Sequence, residues 1–153
     1  MKDKQVGRLF VVAQAVLLVS LVVLPGRADW PTPPWLKALG LVLSLLGLVV
    51  VGLASRGLGA ALTPTPVPTQ RGQLTTTGLY AFVRHPIYTG VLSVVVGITL
   101  RSGSVFTLAT ALFVVWFFHK KAQWEEARLR AKHSGYAGYA ARTPRFLPRR
   151  PRI

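Results

Sequence analysis

The sequence predicts an all-α integral membrane protein, with about four transmembrane helices and a cytoplasmic interfacial helix near the C-terminus. Two observations carry that prediction. Four apolar runs fall at about residues 6–24, 36–54, 87–101 and 103–119, and 51% of the 153 residues are hydrophobic. The charge then sits between the runs rather than in them, with 19 Lys and Arg against 4 Asp and Glu, a formal net charge of +15. Basic charge can serve a nucleic acid or an anionic membrane surface. Charges that flank long apolar runs favour the membrane, so anionic headgroups are the expected partners and no nucleic acid is. A length of 153 residues fits one domain, spanning 1–153.

The first run is interrupted only by Arg8, Gln14 and Ser20, and like the second it reaches the ~17–20 residues that a spanning helix needs. Gly26-Arg27-Ala28 would pass as a leader cleavage site. The run before it is longer than a usual leader core and three more follow, so it reads as a span. The third and fourth runs are shorter and cross only if tilted or if their polar ends snorkel. Lys2, Lys4 and Arg8, then Arg56, Arg71 and Arg84, then ten Lys and Arg after His119 lie on alternate sides of the runs from the sparser Arg27, Lys37 and Arg101. The positive-inside rule therefore puts both termini and the long central loop in the cytoplasm of a bacterial or archaeal membrane. Trp30 and Trp35 bracket the opposite loop, as interfacial aromatics do.

The central loop opens with Thr63-Pro64-Thr65-Pro66-Val67-Pro68-Thr69, whose alternate prolines forbid a helix and favour an extended path. Gln73–Gly78 is β-prone but short. Lys120–Lys132 reads as an amphipathic helix ended or loosened by Gly135 and Gly138, and Pro144, Pro148 and Pro151 extend the tail.

There are no cysteines, which excludes disulfides, thiolate metal sites and cysteine nucleophiles. His85, His119 and His133 are widely separated, and no metal site is expected. Chemistry concentrates instead in Gly78-Leu79-Tyr80-Ala81-Phe82-Val83-Arg84-His85-Pro86-Ile87-Tyr88-Thr89-Gly90, at the mouth of the third run. Polar residues in membrane helices are tolerated mainly at helix ends or facing a polar cavity. Pro86 suits the first turn of a helix. Tyr80, Arg84 and Tyr88 are four apart and share a face if the backbone is near-helical. Arg84 offers a rigid fork for a carboxylate or phosphate, His85 a hydrogen bond near neutral pH, and the tyrosines π faces for a cation. Taken singly, each has a bland reading: a snorkelling arginine, a belt tyrosine, a helix-capping proline.

A second cluster weakens that bland reading. Two of the four acids are adjacent in Lys121-Ala122-Gln123-Trp124-Glu125-Glu126-Ala127-Arg128-Leu129, on the same expected side as Arg84. Lys121 and Glu125 are one helical turn apart; as a surface pair they would contribute about 0.2–0.5 kcal/mol. The functional alternative has a glutamate holding an ammonium while Lys121, or an arginine such as Arg145, holds an anion.

Together the two clusters resemble the signature of the isoprenylcysteine carboxyl methyltransferase family. The resemblance rests on Gly78-x-Tyr80-x-x-x-Arg84-His85-Pro86-x-Tyr88-x-Gly90. It continues in Glu125-Glu126-x-x-Leu129 and in Tyr136-x-x-Tyr139-x-x-Arg142-x-Pro144-Arg145-Phe146-Leu147-Pro148, so that residues 73–148 are covered. The same superfamily includes phospholipid N-methyltransferases and small-thiol S-methyltransferases. The resemblance implies a membrane enzyme that uses S-adenosylmethionine on a lipophilic small molecule or lipid. It assigns cofactor contacts to Gly72, Gln73, Leu74, Thr75, Tyr80, His85, Pro86, Ile87, Tyr88 and Glu125, within a cytoplasmic loop 63–86 and tail 120–153. Lys121 stands where the family usually has an arginine for the substrate carboxylate, and it lacks the bidentate fork. Arg84 and Glu126 complete the expected catalytic set, Glu126 or His85 being the proton acceptor that an amine substrate would need. A carboxylate or thiolate needs little base catalysis. Gly57-Leu58-Gly59 lacks the strand and acid of a soluble cofactor-binding turn.

Two other classes remain. A small four-helix transporter would rely on an acid inside an apolar run, and none lies there. A non-catalytic anchor with a basic tail at Arg142–Arg152 would leave Gly78–Gly90 unexplained.

Overall fold

A computed structural model describes residues 2–23, 26–59 and 73–148. Five α-helices follow in order: α1 (Lys2–Val23), α2 (Pro34–Leu58), α3 (Pro86–Ser102), α4 (Val105–Lys132) and α5 (Tyr136–Arg142), with a 3-10 turn at Gly78–Ala81 before α3. No strand occurs among the described residues. Gln73–Thr76 stays irregular, because a lone β-prone segment has no partner to pair with. The proline-rich stretch, Arg71 and Gly72 lie outside the described residues, as do Leu24 and the tail beyond Pro148.

Helices α1, α2 and α4 are long and apolar enough to cross a membrane, and only 11% and 17% of the spans in α1 and α2 is buried against protein. Their outward faces are leucine and valine, among them Leu9, Val16, Leu45 and Leu48, which suits lipid rather than water. Helix α3 has 17 residues, about 25 Å at the helical rise, and falls short of the ~30 Å hydrocarbon core unaided.

Helix α3 is supported by close packing against antiparallel α2, and glycines set the distance. A Cβ at Gly47 would lie 2.5 Å from the Gly90 carbonyl oxygen, and one at Gly97 would lie 2.3 Å from that of Gly40. Both pairs are seven residues apart on their helices, so they form two contact points on one seam. Small residues let backbones approach where lipid supplies no hydrophobic drive between helices. Gly90, the last residue of the polar motif, is therefore a packing residue. Gly47→Val is expected to destabilise the fold by about 1–3 kcal/mol, the usual overpacking cost. Thermal melting in detergent would read this, and an unchanged midpoint would refute the seam.

On the other side α3 and α4 meet α1 around Leu21, Val95, Ala111, Val114, Phe117 and Phe118, with Phe10 and Leu17 packed against them. One end of the bundle is closed by backbone. Gly103 ends α3 with φ +62°, its carbonyl accepts from the amides of Asp29 and Trp30 at 2.8 and 3.2 Å, and Asp29 Oδ2 accepts from Val105 N at 2.7 Å. Ser104 caps α4, accepting from Thr107 N.

The fourth apolar run and the expected interfacial helix prove to be one helix, a correction to the sequence reading. No Pro or Gly interrupts 105–132, so nothing breaks α4 where its composition turns polar. At 28 residues it is about 42 Å long and carries Lys121, Glu125 and Glu126 out of its apolar half without a hinge.

Candidate functional site

The site forms at the end of the bundle where α1 begins, α2 ends, α3 begins and α4 runs on. The expected shared helical face of Tyr80, Arg84 and Tyr88 is not what places them. A residue before proline is pushed out of the α region, and His85 sits at φ −126°, ψ 63°, breaking the chain between the 3-10 turn and α3. The break turns the three side chains to different partners. Tyr80 hydroxyl donates to the Ala54 carbonyl of α2 at 3.4 Å, Tyr88 hydroxyl to Glu125 Oε2 at 2.7 Å, and Arg84 reaches Glu126.

Glu126 is the hub and is 1% exposed. Its Oε1 accepts from Arg84 Nε and Nη2 at 3.2 and 3.0 Å, from His85 Nε2 at 3.1 Å and from Arg145 Nε at 2.8 Å. Its Oε2 accepts from Arg145 Nη2 at 2.9 Å, which makes the Arg145 pair bidentate. A buried carboxylate is costly unless paired and hydrogen-bonded, and this one has both oxygens filled by cations. The Glu126 bonds in turn raise the pKa of the Arg145 guanidinium, outweighing its partial burial.

Arg84 does a second job. Its Nη1 donates to the carbonyls of Ala140 and Thr143 at 2.7 and 2.8 Å, at the C-terminal end of α5 where carbonyls lack helical partners. Arg84 N donates to Pro144 O, His85 N to Arg145 O, and Thr89 Oγ1 to Phe146 O, at 2.9, 3.1 and 2.7 Å. Tyr139 hydroxyl donates to the Tyr80 carbonyl at 2.6 Å. Segment 139–146 is thus strapped across the motif. Arg84, read from sequence as a fork for a ligand, spends four of its five N–H donors on Glu126 and the strap. Burial pushes the Tyr139 phenol up to about 12, with Arg84 opposing, and pushes that of Tyr80 higher still, so both remain neutral phenols at neutral pH.

Beside this closed cluster lies a more open one. The Tyr88 ring stacks on His85 at 5.1 Å and 5°, and meets the edge of Phe118 at 5.0 Å. His85 Nδ1 is 3.8 Å from Glu125 Oε2. Glu125 is about a quarter exposed, and among the described residues only its Oε2 takes part in a hydrogen bond or ion pair. Lys121 is 4% exposed, bonds Gln14 Oε1 of α1, and places Nζ 5.0 Å from the Tyr88 ring centre and 5.7 Å from that of Phe118. No carboxylate pairs with it among the described residues. Tyr136 hydroxyl is buried without a hydrogen-bond partner, and Glu126, Arg84 and Glu125 all act on it electrostatically.

The structure therefore brings Tyr80, Arg84, His85, Tyr88, Lys121, Glu125, Glu126 and Arg145 together at one end. Pro86 is the buried first residue of α3, and Ile87 follows it half-buried. Gln73, Leu74 and Thr75 lead into the 3-10 turn, and no hydrogen bond joins them to the cluster. Sequence reasoning missed Gln14, the strap contacts of Thr89 and Tyr139, and His119, whose ring nitrogens lie 3.2 and 3.4 Å from Arg145 Nη1. An amide in the middle of an apolar run was the available signal for Gln14. Among the described residues no group of three or more His, Asp or Glu could hold a metal. A shallow hollow lined by Lys37, Ile98, Arg101 and Ser102 sits at the far end of α3, about 20 Å from His85, and belongs to neither cluster.

Comparisons with known proteins identify the family. Residues 35–134 match the family model described as phospholipid methyltransferase. The cobalt-zinc-cadmium resistance protein CzcN of Cupriavidus metallidurans is 32% identical over 136 residues, covering 88% of this chain and 60% of its own. Protein-S-isoprenylcysteine O-methyltransferase B of Arabidopsis thaliana is 28% identical over 137 residues, 86% of this chain and 67% of its own. The nickel-cobalt-cadmium resistance protein NccN of Alcaligenes xylosoxydans xylosoxydans is 27% identical over 140 residues, 90% and 62%. The chain thus spans roughly three fifths to two thirds of the length of these relatives. No solved structure matches. With well over half of its length inside the family model, the chain belongs to the phospholipid methyltransferase family.

Proposed function

We propose that this chain is a membrane methyltransferase that uses S-adenosylmethionine and acts on a lipophilic acceptor bearing an anionic group, with an isoprenylcysteine-type carboxylate as the preferred acceptor. One observation carries the reading. On one face of α4, a turn apart, stand Glu125, only one of whose oxygens takes part in a hydrogen bond or ion pair among the described residues, and Lys121, a buried ammonium on which Glu125 acts electrostatically but which no carboxylate pairs with among those residues. A zwitterionic cofactor and an anionic acceptor would meet both needs.

The residues fit the cofactor's chemistry. Glu125 would take its ammonium, and the Tyr88 ring, stacked on His85, would offer the sulfonium a cation–π partner. The orphaned Tyr136 hydroxyl offers a further polar contact. Tyr80, Pro86, Ile87 and the approach Gln73, Leu74 and Thr75 would form the remaining walls. When bound, this cofactor supplies a methyl group on a positively charged sulfur.

The chain's own work is to bind, orient and exclude water. Glu126 can only accept, so its partner His85 Nε2 carries the hydrogen, an assignment made from the network. That leaves His85 Nδ1 turned toward Glu125. Glu126 and Arg84 then act as positioning groups that fix His85 and the strap, and Arg145 locks Glu126 in place. A carboxylate acceptor needs no base, so the filled hydrogen-bonding capacity of Glu126 is no obstacle. Lys121 would hold that carboxylate as a point charge.

A second reading, N-methylation of a phospholipid amine, is favoured by the family model's description. Lys121 would then hold the phosphate and His85 Nδ1 would take the amine proton. In both readings the cluster end would face the cytoplasm, the side that the basic flanks favour.

Calorimetry with S-adenosylmethionine on folded protein in detergent tests the cofactor, and absence of binding would sink the proposal. Transfer of labelled methyl to an S-prenylcysteine acid, a phosphatidylethanolamine and a small thiol, with mass analysis, separates the acceptors.

A further inference from the structure

Helix α1 precedes the residues matched by the family model, 35–134, yet it sends one polar side chain into the site. Gln14 sits one turn from Phe10 and next to Ala13, both of which pack on the aromatic and aliphatic core. Its amide oxygen accepts from Lys121 Nζ. A buried ammonium has three donors. One goes to Gln14, the faces of Tyr88 and Phe118 lie beside the ion, and among the described residues no other oxygen accepts from it. Glu125, a turn away on α4, acts on it electrostatically but does not pair with it, and a buried charge without a direct ion pair is costly. A glutamate at position 14 would have neutralised it within the fold. A glutamine holds the lysine in direction and leaves its charge unspent.

We propose that Gln14 is a positioning and specificity-determining residue: it aims Lys121 at the anionic group of a lipophilic acceptor, and α1 thereby forms one wall of the acceptor pocket. This rests on the methyltransferase reading only for the identity of the acceptor. The role of Gln14 is to supply a neutral acceptor where a charged one would compete with the ligand.

The test compares wild type with Gln14→Glu and Gln14→Leu in detergent, using S-farnesylcysteine free acid and its methyl ester as probes in equilibrium binding. Glutamate is nearly isosteric with glutamine, so a merely structural role predicts an unchanged midpoint and unchanged binding. The inference predicts a melting midpoint for Gln14→Glu at or above wild type, with affinity for the acid reduced at least tenfold and affinity for the ester within twofold. Where turnover is measured, the acceptor KM rises and kcat and cofactor affinity stay within about twofold. Gln14→Leu should weaken acid binding less, since it removes the aim but adds no competing charge. Equal binding of the acid by wild type and Gln14→Glu would overturn the inference, as would wild type that fails to prefer acid over ester. Preference for the acid without any methyl transfer would instead leave the inference standing and sink the proposed reaction.

Discussion

Glu126→Gln is expected to lower the melting midpoint by about 6–12 °C in detergent and to expose residues 143–148 to protease. The carboxylate is buried and faces two guanidiniums, at 3.0 Å from Arg84 and 2.8 Å from Arg145. An amide keeps the shape but leaves both cations without a counter-ion. Breaking a buried pair from one side costs about 3–5 kcal/mol. The partial exposure of Arg145 argues for the low end, about 3 kcal/mol, and a chain of this size loses about 2–4 °C per kcal/mol. Arg84 would keep its bonds to Ala140 and Thr143, so the strap loosens first at Arg145. A midpoint within 2 °C of wild type would show that Glu126 is not the hub.

Glu125→Gln should do the opposite: little to stability and much to the cofactor. Among the described residues its one side-chain hydrogen bond is from Tyr88, which an amide oxygen can still accept. What the variant removes is the negative charge offered to a ligand's ammonium. Hydrogen bonds to charged groups contribute about 1.5–3 kcal/mol, so calorimetry should show S-adenosylmethionine affinity falling about tenfold to a hundredfold. The midpoint should move by less than about 2 °C. Unchanged affinity would remove Glu125 from the cofactor site. A large loss of stability instead would make it a second structural acid. The adjacent glutamates are thus expected to separate cleanly, one holding the fold and one holding the ligand.

Much of this was legible in the sequence, for identifiable reasons. Run length and hydropathy located the four apolar segments, because lipid imposes the same demand on every spanning helix. The two clusters could be placed on one side because charge bias and the hairpin between them fix their relative direction. The roles within the clusters were less legible. Arg84 looks the same in sequence whether its fork meets a ligand or the last carbonyls of α5, and only the strap decides. Gly90 read as part of a polar motif, while its reason for being glycine lies in Gly47, a contact 43 positions away. The continuous α4 was obscured by a change of composition at His119, since hydropathy reports the surroundings of a helix and not its end.

The strap also bears on when the site comes into being. Helices α1, α2 and α4 are long and apolar enough to enter a bilayer as they emerge from the ribosome, and α3 can follow packed against α2. The acceptors for Arg84 Nη1, Arg84 N and His85 N all lie between Ala140 and Arg145, and Thr89 Oγ1, which also reaches the His85 carbonyl, donates to Phe146 O. A chain that stops before Ala140 lacks every strap carbonyl that Arg84 and His85 bond, so the arrangement around them is complete only once residues up to Arg145 are present.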